Sequence, residues 1–122
     1  MSAAALDIRI DRKAYPASSG GETRIAIKNL NLSVSDSEFL CIVGPSGCGK
    51  TTLLNLVAGI DKDASGAVTL KNGQTLDSIR VSYMFQTPRL LPWMTVRDNV
   101  RVVLDETTSK DGRAEQLLKR MD

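Results

Sequence analysis

The sequence predicts an α/β half-domain, a parallel core strand with an antiparallel β flank, on three observations. Residues 6–15 and 24–35 alternate apolar and polar side chains, the period of half-buried strands. Residues 39–43, Phe-Leu-Cys-Ile-Val, are continuously apolar, the pattern of a strand covered on both faces and characteristic of parallel sheets. A glycine-rich loop then runs directly into an apolar helical repeat.

In the first strand, Leu6, Ile8 and Ile10 alternate with charged residues. Residues 16–23, Pro-Ala-Ser-Ser-Gly-Gly-Glu-Thr, have the composition of a loop. In the second strand the apolar phase changes between Ile25, Ile27 and Leu30, Leu32, Val34, which predicts a bulge or break near Lys28-Asn29. Asp36-Ser37-Glu38 turns the chain into the apolar run, where Cys41 is expected as a small buried residue. Residues 50–58 form a helix with Leu53, Leu54, Leu56 and Val57 inward and Gly59 as its stop. A turn over 61–66, a strand over 67–71 and an Asn72-Gly73 hairpin signal follow. Residues 81–85 read as a further strand, and Pro88 and Pro92 exclude regular structure over 86–95. Thr95 with Asp98 is a capping-box start for a helix near 96–104. Residues 107–112 are a polar break, and a last helix spans about 112–121.

The chemistry concentrates at Gly44-Pro45-Ser46-Gly47-Cys48-Gly49-Lys50-Thr51, the phosphate-loop spacing G-x-x-x-x-G-K-[ST]. Glycines let the backbone approach a ligand closely, and successive N–H groups turned inward form an anion nest. The loop opens on a helix N-terminus, where unpaired N–H groups and the helix dipole favour negative charge. Lys50 adds a full positive charge for β- and γ-phosphates, and Thr51 offers a hydroxyl to Mg²⁺. Thr52 places a second hydroxyl within reach of an α-phosphate. The plainer alternative is a strand–turn–helix whose glycines only make a tight turn. Cys48 reads as a small residue that fits the loop rather than as a redox group.

Composition narrows the classes. With 122 residues, the chain holds one domain at most, and 42% hydrophobic with 25% charged residues is ordinary for a globular protein. A net charge of +2, without a basic run, argues against a nucleic-acid partner. Histidine is absent, which removes imidazole ligands and bases. No apolar stretch reaches membrane-span length, and the first residues lack a signal-peptide pattern, so a cytoplasmic location is expected. The two cysteines make no disulfide framework. The Asn-Lys-x-Asp motif of a GTPase is missing, and Asp63-Ala64-Ser65-Gly66 matches D-x-x-G only in a turn. A small-molecule kinase stays open on the phosphate loop alone.

Beyond that loop, the sequence resembles the N-terminal half of ABC transporter ATP-binding subunits over residues 5–122. The resemblance is carried by Gly44 to Leu54 in the family's Walker A form, and by Ala58-Gly59, Ser65-Gly66-x-Val68 and Asn72-Gly73. Met84-Phe85-Gln86 is similar to the Q-loop, and Leu90-Leu91-Pro92-Trp93-Met94-Thr95-Val96-Arg97-Asp98-Asn99-Val100 to the branch importing nitrate, alkanesulfonates and taurine. The resemblance implies a P-loop NTPase fold, ATP and Mg²⁺ as ligands, a transmembrane permease and a second ATP-binding subunit as partners, and a peripheral place on the inner face of the cell membrane. By the same resemblance, the amides of Gly47 to Thr52 hold the β-phosphate. Lys50 contacts β and γ, Thr51 ligates Mg²⁺, Gln86 senses the metal and attacking water, and Tyr15 stacks on adenine. Tyr15 also reads as a strand-end aromatic over the core, and Gln86 as a polar loop residue. Leu90, Leu91 and Trp93 are expected as an apolar patch for a permease helix, or Leu90 and Trp93 as a pin that ties the loop to the core.

The family's second half does not appear. The sequence carries no Leu-Ser-Gly-Gly-Gln signature, no Walker B strand ending in Asp-Glu and no switch histidine. The half-domain is therefore expected as truncated before those motifs, with exposed apolar surface where a neighbouring strand belongs. Phosphoryl transfer needs an oriented water as well as neutralised phosphates, so these residues alone are expected not to hydrolyse ATP. The alternative to an importer subunit is a truncated, non-hydrolysing remnant that at most binds nucleotide.

Overall fold

The computed structural model describes residues 4–17, 21–70, 73–104 and 110–121. These form two compact units, Met1–Tyr83 and Met84–Asp122.

The first unit is a three-stranded antiparallel sheet with one helix. Strands β1 (Ala4–Tyr15), β2 (Arg24–Ser35) and β3 (Ser65–Leu70) lie in the order β2-β1-β3. The core joins Ile8 and Ile10 of β1 to Leu53 and Leu56 of helix α1 (Lys50–Val57). Leu6, Ile27, Leu30, Leu32, Val57, Ala64 and Val68 pack around these four. Burying a leucine of this kind stabilises by about 1.5–3 kcal/mol, so the pairing of β1 with α1 holds the unit together.

The change of apolar phase in the sequence has a structural cause shared by two strands. Between β1 and β3 the register slips at Asp11, so Ile8 and Ile10 face inward before the slip and Lys13 after it. On β2, Asn29 sits across from the same point with φ 52°, which brings Ile27 and Leu30 to the same side. The register irregularity of β2 itself lies at Ala26, between the pairs Lys13–Ile27 and Ala14–Ile25. Gly66 makes the slip possible on β3. Its φ is +124°, and a Cβ there would lie 2.1 Å from the Arg9 carbonyl oxygen.

Helix α1 ends in a Schellman turn, with Gly59 N–H donating to Leu56 O at 3.1 Å and Ile60 N–H to Asn55 O at 2.9 Å. Its inward stripe is narrower than expected. Leu53 and Leu56 are buried, but Leu54 is 47% exposed, because two turns resting on one sheet face bury only one side. After β3, Leu70 N–H donates to Gln74 O at 2.8 Å and Thr69 bridges Thr75. Lys71 of the expected strand 67–71 and Asn72 of the hairpin signal lie outside the described residues, as do parts of the expected loop 16–23 and polar break 107–112.

Two expected strands are corrected. Residues 39–43 and 81–85 form no ladder with any described residue. Phe39 and Val43 are 94% and 84% exposed, and Cys41 is exposed rather than buried. A parallel strand takes its hydrogen bonds from segments distant in sequence, and the described residues contain none that pair with this run. The expected parallel core strand is thus an unpaired segment. Tyr83 is tied instead to α1, its hydroxyl donating to Asn55 Oδ1 at 2.8 Å.

In the second unit, helix α2 (Val96–Val102) packs against α3 (Lys110–Lys119), whose Ala114 is fully buried. Thr95 caps α2 by accepting from Asp98 N–H at 3.2 Å and donating to its carboxylate at 2.7 Å. Arg97 reaches Glu115 on α3 at 3.4 Å. Among the described residues no helix is long and apolar enough to cross a membrane.

Candidate functional site

The loop Gly44–Gly49 delivers the chain into α1, and two features shape the junction. Gly49 is the N-cap with φ +100°, and a Cβ there would lie 2.6 Å from the carbonyl oxygen of Ala26, the residue at which β2 is irregular. Only glycine lets the helix start this close to the strand. Glycine also brings no capping side chain, and the first turn of α1 holds no acidic residue. The opening N–H groups of α1 have no i−4 acceptor, while Leu53 N–H already donates to Gly49 O at 2.9 Å. The helix therefore begins with uncompensated donors, aligned with its dipole.

Lys50 bends back over the loop. Its ammonium donates to Gly44 O and Pro45 O, both at 2.7 Å, and lies 3.6 Å from Cys48 Sγ. A unit charge is thereby held at the mouth of the loop instead of extended into solvent. Cys48 N–H closes the loop on Pro45 O at 3.4 Å. Ser46, Gly47, Cys48 and Thr51 are exposed, and Thr52 is half-buried. Arg24, the first residue of β2, donates from Nη2 to Gly47 O at 3.1 Å and ties the sheet to the loop's rim.

Arg24 pairs in register with Tyr15, so the aromatic at the end of β1 stands beside the strand end that braces the loop. Tyr15 is held from its other side by a polar cluster that sequence reasoning missed. Lys13, 3% exposed, donates to the Asp61 carboxylate at 3.0 Å, to the Asp63 carboxylate at 3.4 Å and to the Asp63 carbonyl. Its ammonium lies 4.7 Å from the centre of the Tyr15 ring, and the Tyr15 hydroxyl donates to Asp61 Oδ2 at 3.2 Å. Burial alone would lower the pKa of Lys13, but the hydrogen bonds and charges of Asp61 and Asp63 outweigh it and raise the pKa. The Lys13 hydrogen bond leads in lowering the pKa of Asp61 against the opposing effect of burial, helped by the Asp63 amide and the Tyr15 hydroxyl. The signal available in the sequence was Lys13 two residues before an aromatic at a strand end. Strict alternation from Ile8 and Ile10 points it outward, and only the slip at Asp11 turns it in.

In the second unit Gln86 is exposed at a bend. The stretch after it is shaped by Asn99, another residue that motif reading did not single out. Asn99 Oδ1 accepts from Leu91 N–H at 2.7 Å, and its amide donates to the carbonyls of Leu91, Met94 and Thr95 at 3.2, 3.3 and 3.0 Å. This side chain pins residues 91–95, which leaves Leu90 and Trp93 68% and 76% exposed. The reading of Leu90 and Trp93 as pins to a core is thus corrected. Leu90, Leu91, Pro92, Met94, Val96 and Val100 border an apolar groove there.

A glycine-braced loop, an uncapped helix start and a lysine folded over the loop's mouth stand together at the G-x-x-x-x-G-K-[ST] stretch of the sequence. Comparisons with known proteins show the family. The family model described as ABC transporter matches residues 27–122, and the chain belongs to that family. It is 46% identical over 115 residues to an aliphatic sulfonates import ATP-binding protein, SsuB 2, of Burkholderia cenocepacia, covering 93% of this chain and 40% of that protein. It is 42% identical over 95 residues to the bicarbonate transport ATP-binding protein CmpC of Synechococcus elongatus, covering 77% of this chain and 14% of that protein. The chain spans 40% or less of the length of these two relatives. Among solved structures it is similar to the ATP-binding cassette MJ0796 in a dimeric post-hydrolysis state bound to ADP and Pi. That likeness has a TM-score of 0.77 and 29% identity, covering 93% of this chain and 56% of that one.

Proposed function

We propose that this chain is the nucleotide-binding part of an ATP-binding subunit that powers import of a small anionic solute of the sulfonate, taurine, nitrate or bicarbonate kind. The observation that carries the reading is the start of α1, with no side-chain cap, no acidic residue in its first turn, and Lys50 Nζ held at the loop's mouth by Gly44 O and Pro45 O. Such a start favours an anion with several oxygens, as the β- and γ-phosphates of ATP provide.

In this reading the amides of Gly47 to Thr52 bind the β-phosphate, with Gly44, Pro45, Ser46 and Gly49 shaping the loop around it. Lys50 exchanges its carbonyl partners for β- and γ-phosphate oxygens. The exposed Thr51 hydroxyl is an oxygen donor that suits Mg²⁺, a hard ion that keeps phosphate and water as its other ligands. Bound Mg²⁺ would neutralise phosphate charge. Gln86 contributes to the metal and the attacking water, and Tyr15 takes the adenine ring. No motif in the chain supplies a general base, so this reading gives these residues ATP binding and not hydrolysis on their own. The exposed Leu90 and Trp93 suit a contact with a membrane-embedded permease at the inner face of the cell membrane, and a second ATP-binding subunit completes the working unit.

Uptake of labelled alkanesulfonate, taurine, nitrate and bicarbonate by cells with and without the gene tests the proposal. Loss of uptake of one of these, restored by the parent gene but not by Lys50→Ala, is the expected result. Unchanged uptake of all four would overturn it.

A further inference from the structure

Lys13 is a buried charge, 3% exposed, that the proposed nucleotide contacts do not use. Its ammonium meets both oxygens of the Asp61 carboxylate, one oxygen of the Asp63 carboxylate and the Asp63 carbonyl. Both acidic residues come from the turn after α1, the helix that the phosphate loop opens. Asp61 spends both carboxylate oxygens on the cluster: Lys13 Nζ lies 3.0 Å from Oδ1 and 2.9 Å from Oδ2, Oδ1 also accepts from the Asp63 amide, and Oδ2 also accepts from the Tyr15 hydroxyl. The ammonium also lies 4.7 Å from the Tyr15 ring centre.

We infer that Lys13 and Asp61 are positioning residues that lock the Tyr15 ring as a one-faced platform for the base of the nucleotide. This rests on the reading of Tyr15 as the base-stacking residue and adds what holds it. A tyrosine at the end of a strand has two free side-chain torsions, and an unheld ring would lose part of its stacking energy to ordering on binding. Here the hydroxyl is anchored at one end, and the cation sits against the ring's π-system. A base then meets a ring already fixed, and it stacks on the side that Lys13 does not occupy. Tyr15 keeps 37% of its surface exposed, so the ring is held without being sealed in. Because Asp61 follows directly from α1, the clamp also fixes the ring relative to the loop that takes the phosphates, through the same short stretch of chain.

The test compares ATP with inorganic tripolyphosphate, which shares the phosphates and lacks the base, on the full-length protein. The affinity ratio isolates the base contribution, and a general loss of stability lowers both affinities and cancels. Tyr15→Ala should reduce the ratio by roughly tenfold or more, the scale of a lost base–aromatic stack. Tyr15→Phe, which keeps the ring and removes only its anchor, should reduce it about threefold, as for one hydrogen bond. Asp61→Asn should do likewise. If Tyr15→Ala lowers the ratio while Tyr15→Phe and Asp61→Asn leave it unchanged, the stacking role stands and the clamp is refuted. If Tyr15→Ala leaves the ratio unchanged, the stacking role falls and the clamp with it. Tyr15→Phe lies at a partly exposed hydroxyl, so its result stands even where Asp61→Asn fails to fold.

Discussion

Replacing Gly49 by alanine tests the geometry of the phosphate loop at its tightest point. The new Cβ would lie 2.6 Å from Ala26 O and 3.5 Å from its carbonyl carbon, where real Cβ atoms essentially never come within 3.0 Å, and the backbone would keep φ +100°. Holding a non-glycine residue in that region costs about 1–3 kcal/mol. Relieving the overlap by moving β2 or the loop adds about 1–3 kcal/mol. Together these take a large share of the roughly 5–15 kcal/mol by which a domain is stable. The movement that relieves the overlap also shifts the first amides of α1, which begin at Gly49. Each charge-assisted hydrogen bond lost there is worth about 1.5–3 kcal/mol, so Mg·ATP should bind at least about tenfold more weakly. Urea unfolding gives the first quantity, and titration with a fluorescent ATP analogue gives the second. A Gly49→Ala protein with the parent's unfolding midpoint and the parent's Kd would refute the close approach of strand and loop.

Leu53→Ala should destabilise by about 2–4 kcal/mol and Leu54→Ala by less than about 1 kcal/mol, since the first is buried and the second is 47% exposed. Equal losses in urea unfolding would show that α1 is rotated about its axis. The Asp61 carboxyl, whose pKa is lowered, should contribute stability that is complete above the ordinary carboxylate range and lost as pH falls through its lowered value. Lys13, whose pKa is raised, should contribute stability that is complete below the ordinary lysine range and lost as pH rises beyond it. Unfolding midpoints against pH should therefore keep a plateau through neutrality. Asp61→Asn should flatten the acid limb below about pH 4, and an unchanged limb would remove the pair from the account. Thr95→Ala should cost about 1 kcal/mol through its lost cap, and amide exchange in α2 should speed up by about fivefold if it does.

The elements legible in the sequence were those whose hydrogen bonds and packing are local. Helix α1 with its glycine stop and the Thr95 cap draw their partners from a few residues away, as do the Lys50 contacts within the phosphate loop. The phase change in β2 was visible as a pattern, but its mechanism was not. It depends on Asn29 facing the slip at Asp11 across the sheet, a relation between strands that no single segment encodes. Lys13 was hidden for the same reason, because alternation counted from Ile8 and Ile10 sends it to solvent. Residues 39–43 and 81–85 show the opposite error. Their side chains have strand character, but a strand exists only where a neighbour supplies its ladder. Asn99 escaped notice because a polar residue inside a short helix gives no sign of the loop carbonyls it collects.

The most direct test of the account is Mg·ATP titrated calorimetrically into the full-length protein and its Lys50→Ala variant. The account predicts saturable binding by the parent and at least about a hundredfold loss in the variant, since a full charge aimed at the β- and γ-phosphates disappears. Equal affinity in both proteins, or no binding by a folded parent, would contradict it.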